Sequence, residues 1–249
     1  MGWDLSGNIR GAAGADGEDG ADGAPGEPGA NADPPKLYKQ REAQMVKFPG
    51  STTWVYVAMA APGTLGAITS VDDADGALGN FATATTLNAT NGFVSAANIM
   101  RRDWLGGWVT RVKTGAATDL LGVRLWAGLT SADLALVATP TTQHVAAFRY
   151  DTVADSAGGA FWRCITNAGN SDVLVTVTDV AIAAATAYDL RIELSATDVK
   201  FYVNDVLKAT HATKLPGATT ILGHTVKVTN LIAATARNFK CGRMAFWHK

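Results

Sequence analysis

The sequence predicts an all-β protein, an antiparallel β-sandwich preceded by a short collagen-like triple-helical stalk. Two observations predict this class. Glycine recurs at every third residue near the N-terminus, and from Thr52 onward short runs rich in Val, Thr and aromatic residues alternate with Gly/Asn/Asp turns. About a dozen such runs without a helical period are typical of two packed sheets.

The glycine repeat covers residues 11–31 and comprises seven consecutive G-X-Y triplets. Only glycine fits at the crowded axis of three polyproline-II strands, so the period predicts a triple helix and therefore a homotrimer. A stalk of this length reaches about 60 Å at roughly 3 Å per residue. The alternative is a flexible Gly/Ala/Asp-rich linker with a coincidental repeat. The axis positions are Gly11, Gly14, Gly17, Gly20, Gly23, Gly26 and Gly29.

The charge of the repeat argues that the stalk does not hold the trimer alone. It carries five acidic residues per chain, no basic residue and only two prolines. Like charges on three adjacent chains repel one another, and salt screens that repulsion. We therefore expect the C-terminal domain to hold the trimer in register.

Composition excludes several classes of function. Residues 1–35 have a net charge of −6 and residues 36–249 a net charge of +5, and the basic residues of the second part are scattered. Scattered charge does not indicate a nucleic-acid partner. An apolar leader and a run of 18 apolar residues are both lacking in the sequence, so neither secretion nor membrane insertion is predicted. We expect release by cell lysis or assembly into a particle.

Four segments are predicted in order. Residues 1–10 form an N-terminal attachment lead, with a disordered terminus as the alternative. Residues 11–31 form the stalk, and residues 32–50 a linker or neck in which residues 36–48 could be a short helix. Residues 51–249 form the β-sandwich head.

Twelve strands are predicted in the head, and the clearest is a hairpin with Asn204-Asp205 at its two-residue turn. Residues 63–91 are poor in large apolar residues and read as surface loop with short edge strands. The predicted strands are Thr53–Met59, Phe93–Asn98, Trp108–Lys113, Leu121–Ala127, His144–Tyr150, Ala160–Thr166, Val173–Val177, Tyr188–Leu194, Val199–Val203, Val206–His211, Thr225–Asn230 and Lys240–Trp247.

Three stretches carry a resemblance to a known class. The opening SGNIRGAAGADGEDGADGAPGEPG resembles the collagen-like N-termini of tailed-bacteriophage minor tail and fibre proteins. Residues 187–216 resemble the hairpin region of concanavalin-A-like (laminin-G-like) jelly rolls of phage virion proteins, with Asp205 where glycine is usual. Residues 237–247 resemble the closing strand of that fold. The resemblance implies a lectin-like jelly-roll head.

The sequence predicts no catalytic residue and no metal-binding residue. Related β-sandwich glucanases use two glutamates, but Glu193 is the only glutamate between residues 43 and 249. An Asp/Glu arrangement stays open, although Glu193 fits a solvated sheet face. The four histidines lack metal-ligand spacing. Two weaker alternatives stay open, a site shared by His211 and His224 and a loosely held Ca²⁺ at residues 72–76, where a plain acidic turn is favoured.

The tryptophans and cysteines divide between core and surface. Trp54, Trp108, Trp126 and Trp162 fall in predicted strands and are expected in the core. Trp104 follows Arg101 and Arg102 in a loop, where an aromatic ring beside arginines could stack on a sugar; an anchor against the sandwich or a neighbouring subunit is the favoured alternative. Cys164 and Cys241 are expected as two buried thiols rather than a disulfide.

The expected function is that of a non-enzymatic structural protein of a tailed phage virion. It would be a trimeric minor tail or tail-tip fibre whose heads adhere to host-surface glycan, gaining avidity from three weak sites. Its partners would be its own copies, other tail or capsid proteins through the N-terminus, and the glycan. A head fibre or capsid decoration protein is the alternative, and a glycan-processing enzyme a less favoured one.

Overall fold

The computed structural model describes residues 45–47, 54–56, 69–73, 76–94, 100–155 and 160–247. The chain divides into two compact units, Met1–Lys36 and Leu37–Lys249, and all described residues belong to the second. The attachment lead, the seven triplets with their axis glycines, and much of the linker lie outside the described residues.

Fifteen strands and two short 3-10 helices make up the described part of the chain, and none of its helices is long and apolar enough to cross a lipid bilayer. The 3-10 helices are Arg102–Trp104 and Ala117–Leu120. The strands are β1 Met45–Lys47, β2 Trp54–Tyr56, β3 Thr69–Asp73, β4 Gly76–Ala82, β5 Thr90–Val94, β6 Gly107–Thr114, β7 Val123–Thr130, β8 His144–Asp151, β9 Phe161–Ala168, β10 Val173–Ala181, β11 Ala187–Leu194, β12 Val199–Val203, β13 Val206–His211, β14 Gly223–Asn230 and β15 Asn238–Trp247.

The strands form a jelly-roll-like sandwich of two antiparallel sheets. A six-stranded sheet has the order β10-β9-β8-β7-β14-β5, and a seven-stranded sheet has the order β13-β12-β11-β6-β15-β4-β3. β1 and β2 pair separately. The prediction of an all-β, antiparallel two-sheet protein is confirmed, and it follows from alternating strand patterns that bury one face of each sheet.

Strand β11 illustrates how the sequence sets the faces. Tyr188, Leu190, Ile192 and Leu194 are buried against the other sheet. The residues between them are polar and point outward, and Arg111 on the neighbouring strand β6 donates two hydrogen bonds of 2.7 Å to the Asp189 carboxylate. A period of two therefore separates the core from the solvated face.

The centre of the core is aromatic. The Phe148 ring packs edge-on against Trp162 and Phe201, with centroid distances of 6.1 and 5.3 Å. Trp162 in turn packs edge-on against Tyr188 at 5.6 Å. These contacts join strands of both sheets, and such pairs contribute about 0.5–1.5 kcal/mol each beyond the burial of their area.

The predicted hairpin is confirmed, with β12 and β13 at the predicted residues. Asn204 and Asp205 have φ of 51° and 62°, so both turn residues are left-handed, as in a type I′ turn. The Asn204 side-chain oxygen also accepts a 2.9 Å hydrogen bond from the Asp189 backbone N–H. This hydrogen bond ties the turn to the adjacent strand β11.

Two expectations for the N-terminal part of the head are corrected. Residues 63–91 are expected as surface loop with short edge strands, and β3 is such an edge strand; β4, however, lies inside the sheet with Leu78 and Phe81 buried, so the expectation is wrong at residues 76–82. The suggested neck helix is wrong at Met45–Lys47, which is a strand. β4 is stabilised by pairing with the distant strand β15, whereas β1 pairs with β2, the next strand along the chain.

The predictions of a buried Trp108, Trp126 and Trp162 and of two buried free cysteines are confirmed. Trp108 and Trp162 are fully buried between the sheets. Trp126 is also fully buried but packs on the opposite face of the six-stranded sheet; the side chain of Trp54 lies outside the description. Cys164 and Cys241 are free and buried, and burial raises the pKa of both thiols, that of Cys241 to about 12.

Candidate functional site

The segment from Met100 to Gly107 connects the two sheets at one end of the sandwich. Met100 forms an isolated bridge with Leu222, after which the chain turns through the 3-10 helix Arg102–Trp104. Leu105 ends this helix with a left-handed φ of 50°. A leucine in this conformation is strained, and such strain persists only where surrounding contacts impose it. The segment is therefore held in one shape.

Arg102 supplies much of that constraint. Its Nε donates a 2.9 Å hydrogen bond to the Pro216 carbonyl, and its Nη1 donates to the carbonyls of Ser195, at 3.2 Å, and Ala196. The Asp103 backbone N–H donates to the Ala218 carbonyl at 3.1 Å. Three loops are thus joined at one guanidinium, and Arg102 acts as a clamp between them.

Trp104 and Arg101 are brought together at the surface of this loop. The Trp104 residue is 37% exposed, and the Arg101 guanidinium lies 5.7 Å from its ring centroid. The Arg101 guanidinium also pairs with the Asp103 carboxylate. An apolar ring, fixed donors and a carboxylate acceptor therefore lie side by side, which is the chemistry needed to stack on a sugar and bond its hydroxyls.

His144 contacts one of the same loops, and the sequence did not indicate this contact. The Gly217 backbone N–H donates a 3.1 Å hydrogen bond to His144 Nδ1, which places the ring proton on Nε2 when the imidazole is neutral. Burial lowers the pKa of His144, so the accepting tautomer is favoured near neutral pH. Its partner lies 73 residues away in sequence, so local patterns could not reveal the pair.

The outer face of the six-stranded sheet is covered by residues 131–143, which we call the covering loop. Leu134 of this loop is fully buried against Trp126, Val145, Ala147 and Ile165. Side chains of the sheet donate hydrogen bonds to its carbonyls: Trp126 to Val137 at 3.0 Å, Asn167 to Pro140 at 2.7 Å, and Thr229 to Ala135 at 2.7 Å. This part of the face is closed to a ligand.

Charged side chains on that face are paired with one another. Arg149 and Arg163 stand opposite each other on neighbouring strands, and the Asp155 carboxylate contacts both, with Arg163 Nε at 2.9 Å. Arg124 pairs with Asp151 in the next row. All five residues are buried, so these aspartates neutralise arginines and are not placed as an acid/base pair.

Glu193 lies on the outer face of the seven-stranded sheet, as expected for a solvated position. Its carboxylate pairs with Arg191 and accepts a 2.9 Å hydrogen bond from the Tyr202 hydroxyl. The Arg191 guanidinium stacks 3.6 Å from the Tyr202 ring centroid. Burial, and next the bond to Glu193, raise the pKa of Tyr202, so this phenol stays protonated.

In the described part of the chain, no group of three or more His, Cys, Asp or Glu side chains could hold a metal ion. The suggested Ca²⁺ loop at residues 72–76 includes residues 74–75, which lie outside the described residues. Both ring nitrogens of His211 face threonine hydroxyls, Thr166 at 2.8 Å and Thr176 at 2.9 Å. Asp72 and Asp73 end strand β3 and pair with β4. His248 lies outside the described residues.

Among known proteins, solved structures share the fold of this chain. No protein-family model matches the chain, and no curated protein matches it. A protein of unknown function from Shewanella oneidensis MR-1 has a TM-score of 0.54 at 13% identity over 85% of this chain and 86% of that one. An endo-beta-1,4-glucuronan lyase from the fungus Trichoderma reesei has a TM-score of 0.54 at 8% identity over 79% and 91%.

A Bacillus licheniformis beta-glucanase has a TM-score of 0.50 at 11% identity, over 84% of this chain and 98% of that one. At these identities the likeness concerns the sandwich alone. It supports the expected jelly-roll-like architecture of the head.

Proposed function

We propose that this chain is a non-enzymatic structural protein of a tailed phage virion, a trimeric minor tail or tail-tip fibre whose heads bind host-surface glycan. The observation that carries the binding proposal is the Trp104 ring, exposed beside the Arg101–Asp103 pair on a braced loop. The fibre assignment rests on the seven triplets and on the resemblance to phage fibre N-termini.

Bracing favours binding because the loop is ordered before a ligand arrives. Arg102 fixes it to two other loops, and His144 contacts one of those loops. Ligand binding then costs little additional side-chain and loop entropy. Each site is small, since it offers one aromatic ring and one ion pair, so useful adhesion would come from three heads on one stalk.

The ion pairs and hydrogen bonds made by the acidic residues favour a non-enzymatic role. The only glutamate beyond residue 43 is bound to Arg191 and Tyr202. Asp151 and Asp155 are buried in arginine pairs beneath or beside the covering loop. A retaining or inverting glycosidase needs two carboxyl groups facing one open cleft. Neither set of carboxylates is arranged in this way.

The binding proposal is tested on a glycan array with the full-length chain. Two of the solved structures that share the sandwich are named for enzymes of polysaccharides, so polysaccharides belong on the array. Trp104→Ala should lower apparent affinity at least about tenfold, because one stacking contact is lost at each of three linked sites. Leu121→Ala, at a 60% exposed position in another loop, is the matched control.

Equal binding by the wild-type and Trp104→Ala proteins would refute the site. Shortening of an array polysaccharide by the wild-type protein would refute the non-enzymatic role and favour the glycan-processing alternative. Location is tested separately by antibody labelling of virions in electron micrographs. Labels at the tail support the fibre assignment, and labels at capsomer centres support the head fibre or capsid decoration alternative.

A further inference from the structure

Exposed apolar side chains on strands are concentrated in two strands of the head. Among the described residues, twelve large hydrophobic side chains are exposed, and eight of them lie in loops or 3-10 helices. The other four lie on β10 and β13 and are between 40 and 54% exposed. They are Val175, Val177, Val206 and Leu207.

β10 and β13 belong to different sheets but adjoin each other along one side of the sandwich. Lys208 Nζ of β13 lies 2.8 Å from Asp179 Oδ1 of β10. His211 Nε2 of β13 lies 2.9 Å from the Thr176 hydroxyl of β10. The two strands therefore lie side by side, and we call this side of the sandwich the β10/β13 edge.

The usual protection against strand pairing covers only part of this edge: β10 has a register shift between Val177 and Ala181 and β13 has one at Lys208, whereas Val173–Val177 has neither a bulge nor a charge. Each of its strands is terminal in its sheet and pairs on one side only among the described strands. In β10, Val173–Val177 pair regularly with β9, the strand contains neither proline nor lysine, and its one charge, Asp179, is tied to Lys208. Natural proteins shield such edges with charge, proline or a covering element. An unshielded apolar edge indicates a partner.

We infer that the β10/β13 edge is the contact between the heads of neighbouring copies of this chain, an inference that rests on the proposed trimer. The triplet repeat joins three chains in one stalk. The acidic stalk also needs such a contact, because its own charges oppose association.

The test separates the head contact from the stalk. In the full-length chain Gly20→Arg disrupts the triplet axis, and sedimentation velocity with native mass spectrometry reports the number of chains. The Gly20→Arg protein should remain trimeric. Adding Val175→Lys and Val177→Lys should weaken association at least about tenfold, because two cations would be buried at each contact. The matched control adds Leu87→Lys and Leu121→Lys, at exposed loop positions.

Folding is monitored by circular dichroism, and Val175→Thr with Val177→Thr provides a milder pair that keeps β-branched side chains at both positions. A monomeric Gly20→Arg chain would overturn the inference. So would an edge variant that associates as tightly as the loop control. Both results leave the proposed trimer intact if the wild-type chain is trimeric, whereas a monomeric wild-type chain would overturn the trimer as well.

Discussion

His211 gives the head a defined sensitivity to acid. It is 2% exposed at the end of β13, and its ring packs 5.1 Å from the Phe201 ring centroid. Its two nitrogens face the hydroxyls of Thr166 and Thr176 on the opposite sheet. Burial lowers the pKa of His211 from 6.5 to about 4. The neutral imidazole therefore links the two sheets.

The direction of the pH effect follows from proton binding. The unfolded chain takes up a proton on His211 as pH falls through 6.5, while the folded chain does so only near pH 4. Stability is therefore greatest above pH 6.5, falls between pH 6.5 and 4, and changes little further from this residue below pH 4. One pKa unit corresponds to about 1.36 kcal/mol, so the total loss is about 3 kcal/mol.

The assay is urea denaturation followed by tryptophan fluorescence between pH 7 and pH 4, on the wild-type chain and on His211→Gln. Glutamine can still donate and accept a hydrogen bond, but it does not titrate. Between pH 7 and pH 4, the free energy of unfolding of the wild-type chain should fall by about 3 kcal/mol more than that of His211→Gln. Burial also lowers the pKa of His224 to about 4. Because His224 is present in both proteins, its contribution cancels in the comparison.

His144→Gln is the control, because His144 is only half-buried and its substitution should alter the pH dependence less. Lys208 and Asp179, on the strands that carry His211 and Thr176, pair with each other in both proteins. If His211→Gln and the wild-type chain lose stability in parallel from pH 7 to pH 4, the reasoning about the buried imidazole is wrong.

Two further predictions concern a buried charge and a strained turn. Asp155→Asn should destabilise the head by about 3 kcal/mol, because Arg149 and Arg163 lose their shared counter-charge; a loss below about 1 kcal/mol in urea denaturation would contradict this. Asp205→Gly should stabilise the head by about 0.5 kcal/mol, since glycine suits the left-handed φ of 62°. A lower unfolding midpoint for that variant would show that the Asp205 side chain contributes more than the strain costs.

Strands with strong local patterns were predictable from the sequence. β12 and β13 lie at the predicted residues, because alternating apolar positions flank an Asn-Asp pair that tolerates a left-handed turn. β11 was also predictable, because its apolar and polar residues alternate. The sequence placed Trp104 and Arg101 in one loop but left open whether the ring stacks on a sugar or packs as an anchor; the 37% exposure of Trp104 depends on the folded chain.

Features that depend on distant partners were not predictable. β4 has only Leu78 and Phe81 as large apolar residues, and it becomes an interior strand because β3 and β15 pair with it on both sides. The covering loop mixes apolar residues with Ser, Asp and Thr, and nothing in that local sequence shows that its carbonyls are bonded by Trp126 and Asn167 from the sheet beneath. Neither partner is apparent before the chain is folded.

The sequence by itself determined the period-two strands, the hairpin turn and the triplet repeat, because each arises from steric preferences within a few residues. Only the tertiary structure decided the role of each chemical group. It made Arg102 a clamp between loops, enclosed Trp126 beneath the covering loop and left Trp104 in solvent. The physical reason is that burial and hydrogen-bond partners are set by residues distant in sequence, which local patterns do not encode.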